Sequence, residues 1–204
     1  MNTPAGYFDD QYADTDDPWH LAERWYDQRK YRLTAAALPR PLYRRAFEPG
    51  CSVGALTELL ADRCRRLLAT DRVDRAVERA RRNTAGLENV TVRQMVVPDE
   101  WPEGSFDLVV LSELLYYFGS ADRGRILAHG TRSLEPGGHL VAVHWNHPVP
   151  EHTCTGRQIA DELADSDDLG LLARYDDPDF TLTVHERRTH AGSILSPAQS
   201  EGLA

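Results

Sequence analysis

Strand-like and helix-like patterns of apolar residues alternate along most of the chain. Residues 106–111 form a continuous apolar run, which is typical of a strand covered on both faces. Strand-like segments are predicted at 42–48, 66–70, 90–96, 106–111, 139–145, 169–175 and 180–187. Helical spacing predicts helices at 18–38, 53–63, 73–82, 113–117, 121–134 and 155–165. This alternation predicts an α/β fold of the Rossmann-like, doubly wound type, with a mostly parallel seven-stranded sheet. The short turn DDPD between the last two strands predicts an antiparallel terminal hairpin.

The two ends of the chain lack these patterns. Residues 1–17 hold five aspartates and predict a mobile acidic leader. Pro18 then begins a segment at 18–38 whose aromatic residues recur at helical spacing, which predicts an N-terminal helical cap. At the far end, residues 191–204 predict a flexible tail. Residues 18–190 are therefore predicted to form a single domain.

Composition narrows the range of partners. The 204 residues carry a net charge of −9, which disfavours a broad affinity for nucleic acid or an anionic membrane. Three cysteines at irregular spacing predict no disulfide framework, and no apolar run approaches the roughly 18 residues of a membrane span. The acidic N-terminus lacks the features of a secretory signal, so we expect a cytoplasmic protein that acts on a small molecule. The oligomeric state is left open.

A glycine-containing turn, FEPGCSVGAL at 47–56, follows the first predicted strand. A triphosphate-binding loop would need a lysine in this turn, whereas the only lysine of the chain is Lys30. A dinucleotide loop would need a central glycine, where this chain has Ser52. The acid at Glu48 would repel a pyrophosphate but suits the cationic S-adenosylmethionine. Asp71 lies 23 residues after Glu48, at the end of the next predicted strand, where a carboxylate accepts hydrogen bonds from ribose hydroxyls.

Four segments in this order, EPGCSVG, LLATD, FDLVVLSELLYYF and LEPGGHLVAVHW, resemble the class I S-adenosylmethionine-dependent methyltransferases over residues 42–190. The shorter words WYDQRKY, EPGCSVG, LSELLYYF and AVHW resemble the nodulation protein S family. Members of that family N-methylate the free amino sugar of a deacetylated chitooligosaccharide. The resemblance therefore implies S-adenosylmethionine as the cofactor and an amino sugar as the acceptor.

The resemblance also implies roles for individual residues. We expect the methionine part of the cofactor at the glycine turn, the ribose at Asp71, and the adenine beside the end of the third strand, with Asp99 as a weaker candidate for the adenine amino group. The cofactor-binding set is thus Glu48, Gly50, Cys51, Ser52, Gly54, Asp71, Arg72, Val73, Met95, Val96 and Ser112.

An amine acceptor must lose a proton before methylation, which requires a nearby base. Glu113 and His144 follow or end predicted strands, so we expect Glu113 to orient a cationic amine and His144 to accept its proton. An acid at a helix start and a single histidine are also common structural residues. The substrate-binding set predicted around them is Tyr12, Trp19, Tyr26, Arg29, Tyr116, Tyr117, Trp145 and His147. The His and Cys residues of HWNHPVPEHTC do not match a zinc-ligand spacing, so no metal is expected.

Three other functions remain open on the sequence. The first is an O- or N-methyltransferase of a secondary metabolite. The second is a nicotinamide-dependent oxidoreductase, which Glu48 and Ser52 count against. The third is a cofactor-binding module without turnover.

Overall fold

A seven-stranded mixed sheet lies at the centre of the molecule. The computed structural model describes residues 1–189 and 194–203. The strands are β1 (Ala46–Pro49), β2 (Leu67–Asp71), β3 (Val90–Gln94), β4 (Phe106–Ser112), β5 (Leu134–Trp145), β6 (Leu169–Asp176) and β7 (Phe180–Arg187). They lie in the order β3-β2-β1-β4-β5-β7-β6, with β1 to β5 parallel and β7 antiparallel to both of its neighbours. This order confirms the predicted fold, including the antiparallel terminal hairpin.

Helices cover both faces of the sheet. They are α1 (Ala5–Gln11), α2 (Trp25–Ala36), α3 (Ala55–Ala61), α4 (Asp74–Asn83), α5 (Ser120–Ser133), α6 (Gly156–Ala164) and α7 (Pro197–Ser200). The continuous apolar run of β4 allows this strand to be buried on both faces of the sheet. Leu108 and Val110 pack in a core that includes residues of α2 and α3, whereas Val109 and Leu111 pack in a core that includes residues of α5 and α6. Alternate side chains of one strand thus serve two cores.

Some element boundaries differ from the prediction for local reasons. The first strand begins at Ala46 rather than 42, because the Asp107 carboxylate accepts the backbone N–H groups of Arg44 and Arg45 at 2.8 Å each. The helix predicted at 113–117 is a single 3₁₀ turn, Leu115–Tyr117. It is preceded by Glu113, whose backbone is left-handed (φ +51°) and therefore not helical.

The cap helix is shorter than predicted. It spans only Trp25–Ala36, since the Asp17 carboxylate accepts the N–H groups of Leu21 and Ala22 and holds the preceding residues in turns.

The leader, residues 1–17, contains α1 and contacts the domain along its length, while its predicted mobility stays a prediction. The Thr3 N–H donates to the Tyr117 carbonyl at 2.9 Å, and the hydroxyls of Tyr12 and Ser52 lie 2.5 Å apart. Asp16 pairs with Arg75 and two further arginines of α4. Composition alone does not predict these contacts, because a segment rich in aspartate is typical of a mobile chain, whereas Tyr12 within it is buried.

The predicted tail at 191–204 lies partly outside the described residues, since 190–193 and 204 are not described. Within it, Ser196 caps α7 through a hydrogen bond from the N–H of Gln199. The limits of the predicted domain, 18–190, stay a prediction.

Candidate active site

A cavity of about 440 Å³ lies beyond the carboxyl ends of the parallel strands. This is where ligands bind in doubly wound folds. Its walls come from the turn after β1, the end of β2, the turn after β4, and the leader with α1 and α2. The predicted site residues that line it are Tyr12, Trp19, Tyr26, Glu48, Gly50, Cys51, Ser52, Asp71, Arg72, Met95, Ser112, Glu113, Tyr116, Tyr117 and Trp145. One cavity therefore collects most of the residues predicted from separate motifs.

The glycine turn has a backbone that only small residues fit. Gly50 has a φ of +75°, and a Cβ there would lie 2.9 Å from the Leu114 side chain. The N–H groups of Gly50 and Cys51 both donate to the Thr70 carbonyl, at 2.7 and 2.9 Å. The turn is thus held by the end of β2, and its backbone lies at the cavity wall without an intervening side chain.

Glu48 contributes a carboxyl group to the part of the cavity beside the glycine turn. The turn itself holds no basic residue that could pair with it. The side chain of Glu48 is buried and accepts a hydrogen bond from the Thr57 hydroxyl at 2.7 Å. Burial is the main cause that raises the pKa of Glu48 to about 7. A positively charged ligand beside this group would favour its ionised form, so the site suits the ammonium and sulfonium of S-adenosylmethionine.

Asp71 is fixed by the backbone on both of its oxygens. Oδ2 accepts the N–H of Ser52 at 2.9 Å, and Oδ1 accepts the N–H of Val73 at 3.0 Å. Each carboxylate oxygen has a second lone pair, so two further hydrogen bonds remain available to a ligand. This pre-oriented carboxylate at the cavity wall fits the diol of a ribose.

The wall beyond Asp71 is largely apolar, as a purine ring requires. Met95 and Val97 line it, and the Arg72 guanidinium lies 5.4 Å from the centre of the Phe8 ring. The predicted contact at Val96 does not line the cavity, because its N–H is bound by Glu100 at 2.7 Å. The neighbouring Val97 lines it instead.

The opposite half of the cavity is built around Glu113. The left-handed backbone of Glu113 turns the chain away from β4 directly after the strand ends. The N–H of Glu113 donates to the Val143 carbonyl at 2.9 Å. Its Oε2 accepts the Tyr116 hydroxyl at 2.8 Å and lies 3.5 Å from the Lys30 ammonium. Lys30 in turn donates to Asp27 at 3.1 Å.

Three polar atoms of this half are buried without a partner among the residues that the structure describes. They are Glu113 Oε1, the Tyr26 hydroxyl and His152 Nδ1. Burial raises the pKa of the Glu113 carboxyl, and the neighbouring Lys30 and Tyr116 act in the opposite direction. Buried polar atoms are normally hydrogen-bonded, so unpaired polar atoms in a cavity mark a place for a ligand with polar groups.

His144, predicted as the proton acceptor, is placed elsewhere by the structure. Its Nε2 accepts the N–H of Leu115 at 3.1 Å, and the side chain does not line the cavity. Burial lowers the pKa of His144 to about 3. The imidazole thus holds the 3₁₀ turn in place, and the expectation of a base at this position is wrong on geometry.

Four other predicted residues do not line the cavity. Arg29 pairs with Asp177 at 2.8 Å, and His147 pairs with Asp179 at 2.7 Å. Gly54 precedes α3 and Val73 precedes α4, where both support the turns rather than face the cavity. Asp99, the weaker candidate for adenine, is exposed and pairs with Arg125.

Several residues of the cavity were not predicted. The most telling are Asp27 and Lys30 on α2, and His152, whose ring stacks on Tyr116 at 3.7 Å. One signal for Lys30 was visible, since it is the single lysine among 23 basic residues. Nothing in the local sequence connects His152 with Tyr116, which lies 36 positions earlier.

Metal clusters and membrane-spanning helices are absent from the described residues. Within 1–189 and 194–203, no three His, Cys, Asp or Glu side chains are grouped so that they could hold a metal ion. None of the helices described there is long and apolar enough to cross a membrane.

Comparison with known proteins gives a consistent picture. The profile of the family described as methyltransferase domain matches residues 47–142. The curated relatives include nodulation protein S from Rhizobium tropici, which is 35% identical over 62% of this chain and 54% of the relative. Nodulation protein S from Sinorhizobium fredii is 33% identical over 62% of this chain and 59% of the relative. The chain thus spans little more than half the length of these curated relatives.

Solved structures extend the comparison. A proposed methyltransferase from Pseudomonas syringae is 40% identical, with a TM-score of 0.71 over 80% of this chain and 100% of its own. The N-methyltransferase NodS from Bradyrhizobium japonicum, solved with S-adenosylhomocysteine, has a TM-score of 0.81 over 93% of this chain and 100% of its own. That second match is 24% identical, so it concerns the fold alone.

Proposed function

Since the chain belongs to the class I S-adenosylmethionine-dependent methyltransferases, we propose that it transfers a methyl group from this donor to the amine of a small polar acceptor, such as an amino sugar. The observation that carries the acceptor class is the unpaired Oε1 of Glu113, which is buried in the same cavity as the glycine turn and Asp71. The curated relatives carry the name nodulation protein S, the family for which the sequence resemblance implies an amine acceptor.

The glycine turn and Asp71 are the residues that would hold the donor. Glu48 would lie near its cationic end, Asp71 would accept the ribose hydroxyls, and Met95 with Val97 would contact the base, since all four residues line the cavity. When bound, S-adenosylmethionine supplies an electrophilic methyl group on sulfur: a nitrogen–carbon bond forms as the carbon–sulfur bond breaks, and S-adenosylhomocysteine leaves. The residues of this half therefore bind and orient, which accounts for much of the acceleration in such transfers.

The charge on the acceptor side favours a cation. Asp27 and Glu113 are two carboxylates around the single ammonium of Lys30, so the group carries one net negative charge. An acceptor ammonium that donates to Glu113 Oε1 would both satisfy that oxygen and balance the charge. The aromatic rings of Tyr26, Tyr116 and Trp145 around it offer apolar surface for a sugar ring.

Glu113 is also positioned to take the proton that the amine must lose. Burial raises the pKa of this carboxyl, which brings it closer to that of an amine than an exposed glutamate would be. We infer that Glu113 first holds the ammonium through Oε1 and then accepts its proton, which frees the nitrogen lone pair for the methyl group. Glu113 thereby takes the role expected of His144.

A second acceptor class is favoured by the same aromatic lining. Tyr7, Phe8 and Tyr117 add further rings to the cavity wall, and they would stack on a planar secondary metabolite as well as on a sugar. Such an acceptor would still place a hydrogen-bond donor at Glu113 Oε1.

Transfer of a labelled methyl group from S-adenosylmethionine tests the proposal. The acceptors are glucosamine, N-acetylglucosamine, and chitooligosaccharides with and without a free amine. We expect label on the free-amine forms alone, at nitrogen, with S-adenosylhomocysteine released in equal amount. Equal labelling of the acetylated forms, or label found at oxygen rather than nitrogen, would refute the amine assignment.

A further inference from the structure

Lys30 occupies an unusual place for a lysine. It is the only lysine of the chain, its exposure is 2%, and it lines the cavity rather than the surface. Lysine is rarely buried without a partner, because the charged group loses its hydration. The contacts that compensate for this loss show what the residue does.

Lys30 lies between two carboxylates at unequal distances. Its ammonium is 3.1 Å from Asp27 Oδ1, one turn earlier on α2, and 3.5 Å from Glu113 Oε2. The ammonium also lies 4.9 Å from the centre of the Tyr26 ring and 5.5 Å from that of Tyr31. Lys30 is therefore held from several sides and is nearer to Asp27 than to Glu113.

The unequal distances have a consequence for the charge of Glu113. A lysine paired with Glu113 alone would cancel the charge that an acceptor ammonium needs. Without any lysine, burial would favour the neutral acid. Because Asp27 draws Lys30 toward itself, Glu113 has a cation near enough to favour ionisation and yet keeps Oε1 free.

We propose that Asp27 and Lys30 are a positioning pair that selects a cationic acceptor by keeping Glu113 ionised, oriented and unneutralised. Lys30 and the Tyr116 hydroxyl hold Oε2, so that Oε1 is the oxygen presented to the acceptor. This inference rests on the proposed function, since it concerns the same acceptor amine.

A double-mutant cycle with glucosamine as the acceptor tests the pair. In Asp27→Asn, Lys30 is released to pair with Glu113, so KM for glucosamine should rise about tenfold while kcat changes less. Adding Lys30→Met to that variant removes the cation that favours ionisation of Glu113, so KM should stay raised but by no more than in the single variants, because both changes act through the same carboxylate. Arg32→Met removes an exposed cation two residues away on the same helix and is the matched control. A double variant whose losses simply add would overturn the proposal.

A spectroscopic test does not depend on any acceptor. Because the chain has one lysine, protein made with isotope-labelled lysine gives a single side-chain nitrogen signal. Glu113→Gln and Asp27→Asn should each move this signal, whereas Arg32→Met should not. A signal that ignores Glu113→Gln would overturn the pairing. If the signal moves but glucosamine receives no methyl group, the proposed acceptor is wrong and the pairing stands.

Discussion

The two halves of the cavity are assembled in different ways. The donor half comes from short segments at or just after the ends of parallel strands, 48–52, 71–72 and 95–97. The acceptor half comes from α1, α2, the turn after β4 and the loop that holds His152, which are far apart in sequence. A half built from local turns is specified by a few residues in a row, whereas the other half exists only once the chain has folded.

The difference also appears in how the polar groups are satisfied. In the donor half, Asp71 is held by two backbone N–H groups and Glu48 by the Thr57 hydroxyl. In the acceptor half, Glu113 is held by side chains, Tyr116 and Lys30, and one of its oxygens is left unpaired. Backbone contacts survive most substitutions, so we expect the acceptor half to be the more easily altered of the two.

The largest expected effect separates chemistry from donor binding. Glu113→Gln removes the charge and the proton acceptor but keeps the shape of the side chain. Methyl transfer to glucosamine should fall by about a hundredfold or more, in the range typical of lost acid–base catalysis. Binding of S-adenosylhomocysteine, measured by calorimetry, should change less than about threefold, since this ligand contacts the other half.

Glu88→Gln is the matched control, because it makes the same change at an exposed position. If Glu113→Gln weakened donor binding as much as it slowed transfer, the separation of the two halves would fail.

The next effect concerns the donor half. Asp71→Ala removes the ribose acceptor and the anchor for the N–H groups of Ser52 and Val73. We expect the Kd for S-adenosylhomocysteine to rise about tenfold to a hundredfold, the range for a lost charge-assisted contact. Asp74→Asn, on the exposed start of α4, serves as the control. Unchanged affinity in Asp71→Ala would place the ribose elsewhere.

Donor binding should also depend on pH through Glu48. The pKa of Glu48 in the protein is about 7, raised by burial, and the ammonium group that S-adenosylhomocysteine shares with the donor prefers the ionised carboxylate. As pH falls below about 7, more of Glu48 is protonated, and that proton must be lost on binding. Affinity for S-adenosylhomocysteine should therefore decrease by up to about tenfold per pH unit below this point and level off above it.

Calorimetry in buffers of different ionisation enthalpy measures the proton release directly. Glu48→Gln should flatten the pH profile. A wild-type profile that is already flat would show that Glu48 does not face the charge of the ligand.

The smallest expected effect comes from the leader. Tyr12→Phe removes the hydroxyl that meets Ser52 and leaves the packing of the ring intact. Affinity for S-adenosylhomocysteine should fall by about fivefold, since one neutral hydrogen bond contributes about 1 kcal/mol. Tyr175→Phe removes a hydroxyl that bonds to Arg29 and Asp177 away from the cavity, and it should have no effect on this Kd. Equal losses in both variants would mean that the leader does not support the glycine turn.

The sequence predicts the donor half better than the acceptor half, because the donor half is built from short segments of neighbouring residues. Glu48, Gly50 and Asp71 have a fixed spacing because each lies where a parallel strand ends, and all three line the cavity. His144 also lies near a strand end, but adjacent side chains of a strand point to opposite faces, and the sequence does not tell which face meets the cavity. The ring of His144 points to the 3₁₀ turn, while Trp145 lines the cavity.

The leader and α2 show a second limit. A run of aspartates predicts disorder when no partners for the carboxylates are known. In the structure Asp16 pairs with arginines of α4 that lie 59 to 66 positions later in the chain. The role of Lys30 depends in the same way on Glu113, which comes 83 residues later in the chain. Sequence patterns identify elements well, but pairings between distant elements depend on the tertiary fold.

The leader contacts both halves of the cavity and also forms ion pairs at the protein surface. We therefore expect these ion pairs to influence how ligands enter and leave. Thr3 is bound to the turn that follows Glu113, Tyr12 to the glycine turn, and Asp16 to the arginines of α4. We expect a ligand that leaves between the leader and the domain to break these contacts first. The arginine contacts are exposed, so dissolved salt weakens them while it hardly affects the buried carboxylates. The rate at which the spent donor departs should therefore respond to ionic strength even where the bound geometry does not.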